Sequence, residues 1–63
     1  MTNARWHHYE ERQSAHWTTK IRDHAKIVGF PTEYSRVGWM TEVAVKCTDA
    51  EWIEIHDAIN QEG

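Results

Sequence analysis

Trp39-Met40-Thr41-Glu42-Val43-Ala44-Val45-Lys46-Cys47, followed directly by Thr48-Asp49-Ala50-Glu51-Trp52, is the stretch on which the reading of this chain turns. Trp39, Thr41, Val43, Val45 and Cys47 alternate with Met40, Glu42, Ala44 and Lys46. A period of two, with β-branched residues on one side, predicts a strand with one buried face. Thr48-Asp49-Ala50-Glu51 is a capping box. The threonine hydroxyl can accept from the N3 amide, and the glutamate can reach back to the N-cap amide. Acids in the first turn also suit the helix dipole. Trp52, Ile55 and Ile59 then recur at helical spacing, with His56 at the edge of the stripe, so a helix is predicted from Asp49 to about Gln61.

Working outward, Thr32 to Val37 is predicted as a short preceding strand, with Gly38 in the turn. Val37 is ill suited to the positive φ that a tight hairpin requires. Gly29-Phe30-Pro31 is the strongest punctuation in the chain. Ahead of it, Trp17, Ile21, Ala25 and Val28 lie on one helical face, with Gly29 as C-cap and Pro31 as stop. Trp6 falls on the same face, though Glu10 and Gln13 interrupt it. Residues 1–13 are therefore expected as the frayed first half of a long helix, or as a short turn before a helix from about Ser14. Arg12, Arg22 and Lys26 cluster on the opposite face. The expected fold class is α+β: one small domain over residues 1–63, ordered helix, short β-hairpin or single strand, helix (α-β-β-α).

Composition bounds the rest. The chain has 63 residues, no leucine, and only ten Val, Ile and Phe, but four tryptophans and two tyrosines that supply large buried area. A core in a domain this small rarely contributes more than about 3–5 kcal/mol, which makes a homodimer a natural expectation. Cys47 is the one cysteine, so no intramolecular disulfide forms, in keeping with a reducing compartment. There is no apolar run long enough to span a membrane, and Met1 to Tyr9 lacks a signal peptide's apolar core. A cytoplasmic location is expected. Residues 1–31 carry five bases and three acids, and residues 32–63 carry two bases and seven acids, net +2 and −5.

Chemistry-bearing residues are few. His7, His8, His16, His24 and His56, with Cys47, are ligand types. His7–Glu11 and His8–Glu11 have the spacing of a helical ligand pair, but neither HExxH nor CxxC occurs, so no metal or cofactor is expected. Cys47 with a histidine is the only conceivable nucleophile pair. Cys47 shares its strand face with Val43 and Val45, which reads as core packing, so the protein is expected not to be an enzyme.

Two stretches resemble DNA-binding motifs. Ala25, Val28 and Gly29 are spaced as in a helix-turn-helix. That resemblance implies a motif around residues 21–40, with Glu33 to Met40 as recognition helix and Arg12, Arg22, Lys26 and Arg36 as phosphate or base contacts. It departs at Pro31 and at Gly38. Val43-Ala44-Val45 leading into Thr48-Asp49 and Glu51-Trp52 looks like the opening of a ribbon-helix-helix repressor. The second helix such a module needs does not follow, and its function is not carried over.

The most specific surface signal is the final helix. Asp49, Glu51, Glu54 and Asp57 surround Ile53, which lies off the apolar stripe. An apolar residue among acids suits a partner with a basic or apolar groove. The expected function is a protein-binding module, a small regulator or inhibitor that occludes a site on a larger protein. A DNA-binding regulator is the alternative.

Overall fold

The alternating stretch becomes the middle strand of a three-stranded antiparallel sheet in the computed structural model, which describes residues 3–61. The elements are β1 (Arg5–Arg12), α1 (His16–Val28), β2 (Thr32–Val37), β3 (Met40–Cys47) and α2 (Asp49–Gln61), with sheet order β1-β3-β2. The α+β class, both helices and the β2–β3 hairpin follow the sequence expectation. The N-terminal segment does not.

Residues 5–12 form a strand rather than a helix, paired to β3 from Arg5↔Cys47 through Arg12↔Met40. Aromatic residues and histidine are weak helix formers, and aromatics favour strands. β3 also has a second edge to pair, and β1 satisfies its backbone groups. The alternation in β1 is written with His7 and Tyr9 on the inner face, which a count of aliphatic residues does not register. Trp6 at helical spacing from Trp17 is coincidence. The basic stripe expected on the first helix therefore loses Arg12, which lies at the end of β1.

Glu33 to Met40 is not a recognition helix. Thr32–Val37 pairs with β3 from Thr32↔Val45 through Val37↔Met40. Gly38 has φ 61° at the first position of the two-residue turn, where type II′ hairpins place glycine. That relieves Val37 of the positive φ and dissolves the helix-turn-helix resemblance.

Ile21 and Ala25 of α1, Val43, Val45 and Cys47 of β3, and Ile55 and Ile59 of α2 form the core, with Tyr9, Trp17, Phe30, Tyr34 and Trp52 packed on it. The helices thus cover one face of the sheet. The α1 stripe shifts from the expected one. Thr18 is fully buried, its hydroxyl 3.0 Å from that of Thr41, while Val28 is exposed. Gly29 ends α1 at φ 92°, with the Phe30 amide donating to the Ala25 carbonyl at 2.9 Å and the Gly29 amide to that of Lys26 at 3.2 Å. This is the paired-bond Schellman ending. The capping box forms as expected: the Thr48 amide donates to Glu51 Oε1 at 2.8 Å and the Glu51 amide to Thr48 Oγ1 at 3.1 Å.

The start of α1 is capped from outside the helix. Ala15 occupies the N-cap position and offers no side-chain acceptor. Glu11, at the end of β1, accepts from the Trp17 amide at 2.9 Å and the Thr18 amide at 3.0 Å, and Ser14 Oγ donates to its other oxygen at 2.9 Å. Burial pushes this carboxyl up, but the bonds from Thr18, Ser14 and Trp17 outweigh it and hold it below the ordinary 4.5.

Candidate functional site

The sheet face away from the helices stays open. By register and alternation it presents four rows: Trp6 beside Lys46; His8, Ala44 and Glu33; Glu10, Glu42 and Ser35; Arg12, Met40 and Val37. Small Ala44 lies low between its neighbours and is 5% exposed. A hollow of about 360 Å³ opens there, lined by His8, Glu33, Tyr34, Ser35, Glu42 and Ala44.

Electrostatics single this face out. Glu10 and Glu42 are direct cross-strand partners, and like charges directly opposite destabilise a sheet. Glu33 stands diagonal to Glu42, one strand over. Their one ion-pair contact among the described residues is His8 Nδ1, 3.9 Å from Glu42 Oε2. No Lys or Arg described pairs with any of the three. Trp6 flanks the acids at one end and Val37 at the other, with Trp39 in the adjoining turn, and Val37 and Trp39 are 78% and 72% exposed. Trp17 and Trp52 are the tryptophans the core partly encloses; Trp6 and Trp39 are left outside.

The acidic residues expected on α2 divide into two groups. Asp49 accepts from Arg5 Nε at 2.8 Å. That bond, opposed by partial desolvation and aided by the charges of Arg5 and His7, holds its carboxyl below the ordinary 3.8. Glu51 is taken up by the capping box. Ile53, Glu54 and Asp57 are exposed on α2, Ile53 at 60%.

The basic residues of the DNA-binding alternative are dispersed. Arg12 ends β1. Arg22 lies over the Tyr34 ring, 4.7 Å from its centre, and bonds Asp23. Lys26 is exposed in the last turn of α1, and Arg36 on β2 donates to the Gly38 carbonyl at 3.3 Å. They do not form one stripe.

The histidine pairs also change meaning. In a strand, residues four apart are separated by roughly 13 Å, so His7 and Glu11 do not converge, and His8 and Glu11 face opposite sides. Among the described residues no group of three His, Cys, Asp or Glu could hold a metal ion. His7 instead stacks on Trp52, ring centres 5.1 Å apart, and His56 meets Trp52 edge-on at 4.6 Å. His7 Nε2 is 3.3 Å from Asp49 without an aligned hydrogen bond. Burial lowers His56 below its ordinary 6.5, with Asp57 opposing. Cys47 is 1% exposed, and burial, then the charges of Glu51 and Asp49, push its thiol up.

Sequence reasoning missed His8, Glu10, Glu33 and Glu42 as a group. Glu42 was visible as the polar half of an alternation, but only the register places Glu10 opposite it. No helix among the described residues is long and apolar enough to cross a membrane. No family model, curated protein or solved structure matches the chain.

Proposed function

We propose that this protein is a non-enzymatic protein-binding module whose docking surface is the open sheet face. One observation carries the reading: Glu10 sits opposite Glu42, with Glu33 beside them and no Lys or Arg in answer. The repulsion costs stability and does nothing for the fold. A partner's Lys or Arg entering the hollow relieves it, and Trp6 and Val37 at the two ends supply apolar contact area. The three carboxylates, in no ion pair with Lys or Arg among the described residues, steer encounter with a basic surface. The mode of action is occlusion, a rigid sheet laid over a functional site of a larger protein. On α2, Ile53, Glu54 and Asp57 offer a smaller surface of the same sign, since Asp49 and Glu51 are engaged within the chain. Nucleic acid is the weaker reading, because Glu10, Glu33 and Glu42 outnumber Arg12 and Lys46 on the open face and the remaining bases are scattered.

The test is tagged capture from the native cell's lysate with nuclease present, comparing wild type, Glu42→Lys and Ile53→Asp. A stoichiometric protein retained by wild type and Ile53→Asp, but lost with Glu42→Lys, is the expected result. Loss with Ile53→Asp alone moves the surface to α2. Recovery of nucleic acid, or a protein band that nuclease abolishes, overturns the reading.

A further inference from the structure

β1 ends the sheet on one side, and no described strand pairs with its outer edge. An open edge is a template for another strand. The register of β1 with β3 runs unbroken from Arg5 to Arg12, and the strand holds no proline or lysine. It therefore lacks the bulge, proline or lysine that often blunts an edge. β2, at the other edge, is shorter and follows Pro31. We infer that β1 pairs antiparallel with β1 of a second copy, about a twofold axis through Tyr9, and that the protein is a homodimer.

Two hydrogen bonds fix which residues face outward. Along a strand in an antiparallel sheet, residues that bond one neighbour alternate with those that turn away from it. The Gln13 amide donates to the Trp39 carbonyl at 2.7 Å, one pair beyond the register of β1 with β3. The odd-numbered residues of β1 therefore bond β3. The Lys46 amide donates to the Pro31 carbonyl at 2.9 Å, so the even-numbered residues of β3 bond β2 and its odd-numbered ones bond β1. The two bonds agree. Trp6, His8, Glu10 and Arg12 thus turn their N–H and C=O groups to the free edge. Their side chains are exposed and share the open face of the sheet.

The sequence of this edge is complementary to itself. With Tyr9 on the axis, Trp6 stands opposite Arg12 of the second copy, and His8 opposite its Glu10. Each such pair exchanges two backbone hydrogen bonds. An imidazole N–H donates to a carboxylate in either charge state of the histidine, and a guanidinium packs on an indole face. Glu10, which makes no ion pair within the chain among the described residues, gains a donor. On the helix side the two half-exposed Tyr9 rings meet at the axis, an aromatic cross-strand pair. Sliding the axis to His8 sets Trp6 against Glu10, and sliding it to Glu10 sets the two Glu10 carboxylates together. An axis between residues pairs inner with outer side chains and is excluded. The inference does not rest on the protein-binding reading: it uses the sheet edge, and the two open faces run on into one another.

The test is sedimentation of the full chain over concentrations from about 10 μM to about 1 mM. The mass should rise to twice the chain's 7.5 kDa, with a dissociation constant of about 100 μM or below. His8→Glu sets like charge against Glu10 of the second copy in both symmetry-related pairs and should weaken the dimer roughly tenfold. Adding Glu10→Lys to it restores opposite charges in the same register and should recover the dimer. His8→Pro removes an outward N–H that bonds nothing in β3, so it should leave the fold intact by circular dichroism while weakening the dimer roughly tenfold or more. In a mixture of labelled and unlabelled wild-type chain, an intermolecular NOE between the α-protons of His7 and Glu11 reads the register without any variant. A chain that stays monomeric throughout, leaving the edge to a strand of another protein, overturns the inference. So does a dimer that lacks this NOE, or one that folded His8→Glu and His8→Pro leave unweakened.

Discussion

Removing the Glu11 carboxylate should unfasten the first helix from the sheet. Its oxygens hold the Trp17 and Thr18 amides at 2.9 and 3.0 Å, and the Thr18 and Ser14 hydroxyls at 3.3 and 2.9 Å. Ala15 supplies nothing in its place. Losing an N-cap costs about 0.5–2 kcal/mol, and bonds to a charged acceptor lie near the upper end. Water reaches this site and partly replaces the lost bonds, so Glu11→Ala is expected to cost about 2 kcal/mol. In a domain with roughly 3–5 kcal/mol in hand, that lowers Tm by about 8–16 °C. Glu11→Gln keeps one acceptor oxygen and should cost about half as much. The folded carboxyl titrates below its ordinary 4.5. Its contribution is therefore complete above that value and is lost as pH falls through the depressed one. Melting followed by circular dichroism should show the gap between wild type and Glu11→Gln narrowing from pH 7 to pH 3. A Glu11→Ala melt within about 2 °C of wild type, or a gap indifferent to pH, would refute the capping argument.

Glu10→Gln removes the like-charge pair with Glu42 and should stabilise the fold by about 0.2–1 kcal/mol while weakening partner capture; a lowered Tm would count against the repulsion. Thr48→Ala breaks one arm of the capping box and should cost about 1 kcal/mol, read from urea midpoints, with no change expected in the slope. Cys47 should react with a thiol reagent only as fast as the protein opens, so its labelling rate should rise steeply with denaturant; rapid labelling in buffer would place it outside the core. His56 should titrate below 6.5 by NMR. Because its folded value is depressed, stability falls as pH drops through 6.5 toward that value, and His56→Gln should flatten the decline.

The second half of the chain is legible in sequence because its signals are local. The capping box spans four residues and closes on itself. The β3 alternation is carried by Val43, Val45 and Cys47, which packing alone drives inward. Gly29 and Gly38 mark two of the three described positions with positive φ; the third, Gln13 in the β1–α1 connection, carries no glycine to announce it. The first strand is different. In residues 5–12 the local propensity of the aromatics leans to strand, but the alternation is hidden, since its inner face is His7 and Tyr9 rather than aliphatic. It is a strand because β3 offers an unpaired edge and Trp52 and His56 cover those rings. The same holds for function. Residues 10, 33 and 42 are far apart in the chain, and only the antiparallel register makes them neighbours. Glu11, which in sequence stands at ligand spacing from His7 and His8, becomes the cap of α1 once β1 delivers it there. Periodicity and caps depend on residues a few positions apart and can be read along the chain; cross-strand charge and a cap lent by another element exist only once the sheet has closed.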